Sequence, residues 1–217
     1  MFLALRDAAS TPDDFPDDIF VDEPDPTTLS QADISPNRKH WFAALQAKID
    51  GILHPDISYP VTLFPKGATV LPTKLVFKLK RLPSGGVDKF KVRCTTRGDM
   101  DKTFYEEAET FAPTPQLTTF RLFLAFCLIH QLMPYHYDVS QAFLQAPIPG
   151  DERYFVRFPK GYTHPKGYIG AYMKMALYRH RTSGRLWTET AHAFITDRFP
   201  SLIRSTYDEC LYLREVQ

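Results

Sequence analysis

Residues 73–95 read Thr-Lys-Leu-Val-Phe-Lys-Leu-Lys-Arg-Leu-Pro-Ser-Gly-Gly-Val-Asp-Lys-Phe-Lys-Val-Arg-Cys-Thr, and their alternation sets the fold class. Leu75, Phe77 and Leu79 alternate with Lys74, Lys78 and Lys80. After Pro83-Ser84-Gly85-Gly86, the apolar Phe90, Val92 and Cys94 alternate with Lys89, Lys91 and Arg93. Successive side chains of a strand point to opposite faces. Period two on both arms therefore predicts a β-hairpin with one apolar and one cationic face. Like charges on one face repel, a cost that a purely structural hairpin has little reason to carry. A polyphosphate partner removes that cost. The competing reading is an ordinary solvated face.

Upstream, Ser35-Pro36 predicts a helix start, with Ser as N-cap and Pro in the first turn. Trp41, Leu45 and Ile49 then recur every fourth residue as a packing face, and Gly51 is the expected stop. Residues 1–34 read as an extended, acidic, proline-rich linker. Asp7, Asp13, Asp14, Asp17, Asp18, Asp22, Glu23 and Asp25 are interleaved there with Pro12, Pro16, Pro24 and Pro26.

Downstream, Thr114-Pro115 opens a second helix that is apolar nearly all round from Leu117 to Leu132. Such a helix is expected to be buried in a core. Met133-Pro134 stops it, and a strand carrying Asp138 is expected next. A short helical turn at Ala142-Phe143-Leu144 follows, then an alternating strand over Arg153–Phe158. Residues 159–170 read as a Gly/Pro loop, and residues 172–178 as a further strand. Trp187, Ala191 and Phe194 mark a last helix, and residues 210–213 a last strand. Strands and helices in this order give an α+β plan with an antiparallel sheet.

Net charge is only +1, so the whole molecule is not a polyanion trap. The distribution is lopsided, however. Lys66 to Lys102 holds ten bases against Asp88, Asp99 and Asp101. Cys94, Cys127 and Cys210 lack any paired spacing and read as reduced intracellular thiols, neither a disulfide framework nor a zinc site. The longest apolar run, Leu122–Ile129, is far short of the ~20 residues that span a bilayer, so no membrane association is expected.

Asp138 lies in Tyr-His-Tyr-Asp-Val-Ser-Gln-Ala-Phe-Leu, residues 135–144. A carboxylate inside an aromatic and apolar run needs a compensating cation or donors. A metal at the end of a core strand supplies one. A side chain that reaches solvent, or caps the next helix, needs none.

From Trp41 to Leu213 the chain resembles the amino-terminal part of a copia-type retrotransposon reverse transcriptase. Six segments carry the likeness in the same order: the hairpin with its Lys91-to-Gly98 arm; Tyr105-Glu-Glu and Thr110-Phe-Ala-Pro113; Leu117-Thr-Thr-Phe-Arg-Leu122; Asp138-Val-Ser-Gln-Ala-Phe-Leu144; Ala176-Leu-Tyr178 with Arg185 and Trp187; and Asp208-Glu-Cys-Leu-Tyr212. Arg179, Thr182 and Gly184 stand where the family has Gly, Gln and Pro.

The resemblance implies a right-hand polymerase fold, with a fingers-like region over 35–134 and an incomplete palm over 135–217. It implies RNA-directed DNA polymerase chemistry at two Mg²⁺ ions, with an RNA or DNA template-primer and deoxynucleotides as partners. Asp138 would be the catalytic, metal-binding carboxylate, with the Val139 carbonyl and the Phe143 ring beside the nucleotide. Lys78, Lys80 and Arg93 would grip the triphosphate, and Lys74, Lys89, Lys91 and Arg97 the nucleic acid. The family's Tyr-x-Asp-Asp motif is absent, so the expectation is a truncated domain, inactive as this chain. The alternative is a non-catalytic nucleic-acid-binding or interaction module. An intracellular, cytoplasmic place is implied, with a retroelement particle or the nucleus as further possibilities. A palm cut short further predicts an independently stable piece near residues 36–130, with residues 135–217 readily cleaved.

Overall fold

The structure is a computed structural model that describes residues 23–84 and 86–214. Most of the acidic leader, from Asp7 to Asp22, and Gly85 of the hairpin turn lie outside the described residues. The remaining leader residues are not simply extended. Helix α1 (Leu29–Ile34) forms there, and the Thr28 hydroxyl accepts the Gln31 N–H at its start.

Helix α2 (Arg38–Ile52) begins later than Ser35-Pro36 suggested. Ser35 instead closes α1, where its hydroxyl donates to Glu23 and accepts the Asn37 N–H. The serine cap is used in the turn between two helices. Gly51 sits inside α2, one residue before its end. The packing face is as expected: Trp41, Leu45 and Ile49 are all buried.

Strand β1 (Ser58–Val61) is followed by the hairpin of β2 (Val70–Arg81) and β3 (Val87–Thr96). Its register pairs Leu75 with Cys94, Phe77 with Val92 and Leu79 with Phe90. That face lies against α2, where Trp41 meets Phe77 and Phe90 edge-on at 5.6 and 4.7 Å between ring centroids. A buried apolar face opposite a polar one is what period two requires.

Helix α3 (Glu107–Thr110) carries a capping box from Glu106 and Glu109. Helix α4 (Leu117–Ile129), strands β4 (Phe155–Arg157) and β5 (Gly170–Met173), helix α5 (Ser183–Arg198) and the short ribbon of β6 (Ile203–Arg204) with β7 (Tyr212–Leu213) complete the order. The main sheet runs β1-β5-β4-β2-β3. It is antiparallel except where β2 meets β4. Only Val70–Pro72 of β2 pair with β4, and the rest pairs with β3, so the sheet bends along β2. The fold is mixed, with a mostly antiparallel sheet, in line with the α+β expectation.

Two further expectations fail. Helix α4 is not buried: of its residues only Cys127 is, while Leu122, Leu128 and Ile129 are 69%, 81% and 75% exposed. Apolar composition makes burial favourable but does not supply a neighbour, and among the described residues no element covers this helix. Residues 135–139 form no strand either. They follow Gln131, whose φ of 54° turns the chain away from α4, and they are not paired into the sheet.

The sheet also joins what sequence separated. Strands β4 and β5 lie between β1 and β2, and one buried cluster runs from Ala32 to Leu186. Strands from residues 36–130 therefore share one sheet with strands from residues 135–217.

Candidate nucleic-acid interface

The cationic face of the hairpin is ordered by the cross-strand register. Lys78 stands opposite Lys91, and Lys80 opposite Lys89. Arg93 lies opposite Val76, and Lys74 opposite Thr95, on the same face. Like charges directly opposite each other are destabilising, so two lysine–lysine rungs in succession raise the local potential at a cost to the hairpin. Lys80 and Lys89 have no ion pair among the described residues.

Lys78 and Arg97 form ion pairs within the chain. Asp25 reaches over from the leader: one carboxylate oxygen lies 2.6 Å from Lys78 Nζ, and the other accepts the Leu79 N–H. That N–H faces the open edge of β2, so the aspartate satisfies an unpaired strand donor and neutralises a lysine together. Arg97 forms a forked bond with Asp99, at 2.8 and 2.6 Å.

A second group of residues gathers around Tyr178. Phe143, on a 3-10 turn (Ala142–Gln145), meets its ring edge-on at 5.2 Å. Lys48 of α2 places its ammonium 5.2 Å from the same ring and 3.1 Å from Gln141 Oε1. The Tyr178 hydroxyl is raised above its ordinary pKa by burial; Arg93 opposes the shift and Asp138 adds to it. Phe143 and Lys48 therefore contact the Tyr178 ring, while Arg93 and Asp138 act on its hydroxyl through their charge. Val139 is half-buried beside them, while Asp138 itself is exposed. Tyr178 and Lys48 are functional candidates that sequence periodicity gave no means to find.

Asp208 has a different place. Its carboxylate accepts the N–H of Gln116, at the start of α4, and that of Cys210, both at 2.9 Å. These bonds, with Gln116 foremost, hold its carboxyl below the usual range. It anchors α4 to the loop before β7. Arg185 is likewise a tie: it donates to the Glu109 carbonyl of α3, to Glu152 and to Glu189.

The profile of the family described as Reverse transcriptase (RNA-dependent DNA polymerase) matches residues 57–216. The chain belongs to that family. Among curated proteins, this reverse-transcriptase chain is 24% identical over 197 residues to the Retrovirus-related Pol polyprotein from transposon TNT 1-94 of Nicotiana tabacum, which covers 90% of the chain and 14% of the relative. It is 24% identical over 145 residues to the Retrovirus-related Pol polyprotein from transposon RE1 of Arabidopsis thaliana, covering 65% of the chain and 10% of the relative. The copia-type resemblance is thereby upheld. The chain spans a small part of the length of these relatives. No solved structure matches it significantly.

Reverse transcriptases typically use divalent metal, but the described residues do not fit a two-metal centre. Among them no three His, Cys, Asp or Glu side chains converge, and Asp138 is a single exposed carboxylate. Two ions need carboxylates on more than one side. No described helix is long and apolar enough to cross a membrane.

Proposed function

We propose that the chain supplies the nucleic-acid- and nucleotide-holding part of a copia-type RNA-directed DNA polymerase of right-hand architecture. Residues 35–134 act as its fingers and residues 135–217 as part of its palm. The observation that carries this is the directly opposed pair Lys80 and Lys89, which form no ion pair among the described residues, on one solvent face of the hairpin. Their mutual repulsion falls when a phosphate backbone lies across them and counterions are released. Lys74 and Arg97 extend the same face toward the base of the hairpin.

Around Tyr178, Arg93 offers a guanidinium for the phosphates of an incoming deoxynucleotide. Phe143 offers an apolar wall for its sugar, and the Val139 backbone lines the approach. Asp138 would supply one carboxylate to a Mg²⁺ ion, fewer ligands than such an ion needs. The chain alone is therefore a holding module and extends no primer.

The test is binding of a labelled RNA–DNA hybrid duplex, by anisotropy at several salt concentrations, beside primer extension with Mg²⁺ or Mn²⁺. Charge reversal of Lys78, Lys80, Lys89 and Arg93 together should abolish binding. Each lost phosphate contact should lower the log–log salt slope by roughly 0.7–0.9. Unchanged affinity in that variant would make the face ordinary solvated surface. Extension abolished by Asp138→Ala would show a complete metal centre.

A further inference from the structure

Arg179 occupies the left-handed backbone region, with φ of 66°. That region is costly for a side chain as long as arginine and is usually left to glycine. The conformation is imposed by its neighbours. Thr96 donates both its N–H and its hydroxyl to the Tyr178 carbonyl, each at 2.9 Å. The Arg179 carbonyl then lies so close to Gly98 that a Cβ there would stand 2.2 Å from it. The turn at residues 178–179 is thus fastened to the base of the hairpin, and its side chain is aimed by that fastening.

Beside this turn lies an open, polar cavity of about 530 Å³ lined by Lys74, Thr96, Arg97, Gly98, Asp99 and Arg179. It brings three cations from three chain segments against one carboxylate. That carboxylate is already committed to Arg97, whose bonds, with a smaller contribution from Arg179, keep Asp99 ionised below its ordinary range. Lys74 and Arg179 form no salt bridge among the described residues. Lys74 also belongs to the cationic face, so the cavity continues that face around the hairpin base.

We propose that this cavity is a phosphate-binding site in which Arg179 is a specificity-giving cation, with Lys74 and Arg97 as its partners. It takes one phosphate group, either from the backbone of a nucleic acid lying along the hairpin or from the phosphates of a free nucleotide. This rests on the polyanion-holding role proposed above for the hairpin. The guanidinium fork meets two phosphate oxygens, which a lysine at the same place would not do. A strained residue kept where glycine would sit without strain is accounted for by that bond.

Arg179→Gly separates the two effects of the residue. It should raise Tm by about 2–4 °C, because the strain is gone. It should also weaken hybrid-duplex binding and lower the log–log salt slope by roughly 0.7–0.9, one contact's worth. Arg179→Lys should keep the slope but bind less tightly than the parent. Inorganic pyrophosphate, followed through the Gly98 amide resonance, is the second arm. A shift of that resonance in the parent and none in Arg179→Gly supports the site even if no duplex is bound. That last pattern would reject the hairpin role while keeping the pocket. A duplex effect without a pyrophosphate shift assigns the phosphate to the nucleic-acid backbone. If Arg179→Gly raises Tm but changes neither duplex affinity, slope nor pyrophosphate response, the site does not exist.

Discussion

His180 is a buried histidine with no evident signal in the sequence, and its surroundings predict a pH response of the fold. Its Nε2 lies 3.5 Å from Asp101 Oδ2, its Nδ1 lies 3.0 Å from Thr182 Oγ1, and its ring stacks on Tyr154 at 4.0 Å. The hydroxyl of Thr182 donating to Nδ1 leaves the proton on Nε2, facing the carboxylate. Burial pushes the imidazole down to about 4, against the pull of Asp101. Burial also disfavours the Asp101 carboxylate, but hydrogen bonds from Thr103 and Tyr105 outweigh it and leave that carboxyl below its ordinary range. An unfolded histidine takes up its proton near pH 6.5, and the folded one only near 4. Between those values the unfolded chain binds more protons, so stability falls as pH falls from about 6.5 towards 4. The loss amounts to on the order of 3 kcal/mol at most. Denaturant midpoints measured from pH 7 to pH 5 should decline, and His180→Phe, which keeps the stacked ring, should flatten the decline. An equal slope in both proteins would remove His180 from this role.

At the scale of single elements, α4 and the base of the hairpin behave oppositely. Leu128 and Ile129 are exposed, so Leu128→Lys with Ile129→Gln should change stability by no more than about 0.5 kcal/mol and should raise solubility. Leu45, 1% exposed on the buried face of α2, should cost about 2–5 kcal/mol when cut to alanine. Chemical denaturation of the three proteins side by side checks both expectations. A loss above about 2 kcal/mol in the α4 pair would mean that the helix is packed in solution. Gly98→Ala belongs with Leu45: its new Cβ meets backbone, which cannot swing aside as a side chain can. It should unfasten the turn at Tyr178 and lower Tm, with a loss of protection at the Thr96 amide in hydrogen exchange.

Across the whole molecule, one core unites chain segments that lie on both sides of an exposed stretch. Residues 132–139 have no regular structure, and Tyr135 and Tyr137 are exposed, so proteases should cut there first. The two pieces should nevertheless stay together. Strand β1 pairs with β5, and β2 pairs with β4, so each piece supplies strands that the other needs. Native size-exclusion chromatography after limited proteolysis should give one peak that resolves into two bands under denaturing conditions. Two native peaks would restore the expectation of a separable piece near residues 36–130. The near-neutral net charge of +1 and the bare apolar face of α4 also predict association that grows with protein concentration.

The sequence alone determined the elements whose signal is local. Period two in Leu75-Phe77-Leu79 and Phe90-Val92-Cys94 is a steric consequence of the strand, and the structure pairs those residues as the pattern demands. The face of Trp41, Leu45 and Ile49, and that of Tyr154, Val156 and Phe158, were legible for the same reason. The order of the motifs was enough for the family. Only the tertiary structure decided what depended on a distant neighbour. Ser35 read as the cap of the helix that follows it, but it closes a helix before it, where its hydroxyl donates to Glu23. The apolar run of α4 announced a helix that prefers burial, but hydrophobicity is non-directional and names no partner. The clip of Asp25 on Lys78, the contacts of Phe143 and Lys48 with the Tyr178 ring, and the bond of Thr96 to the Tyr178 carbonyl each join residues dozens of positions apart. Such contacts leave no periodic trace in the chain, because they arise from how the sheet brings its strands together and not from the conformation of any one strand.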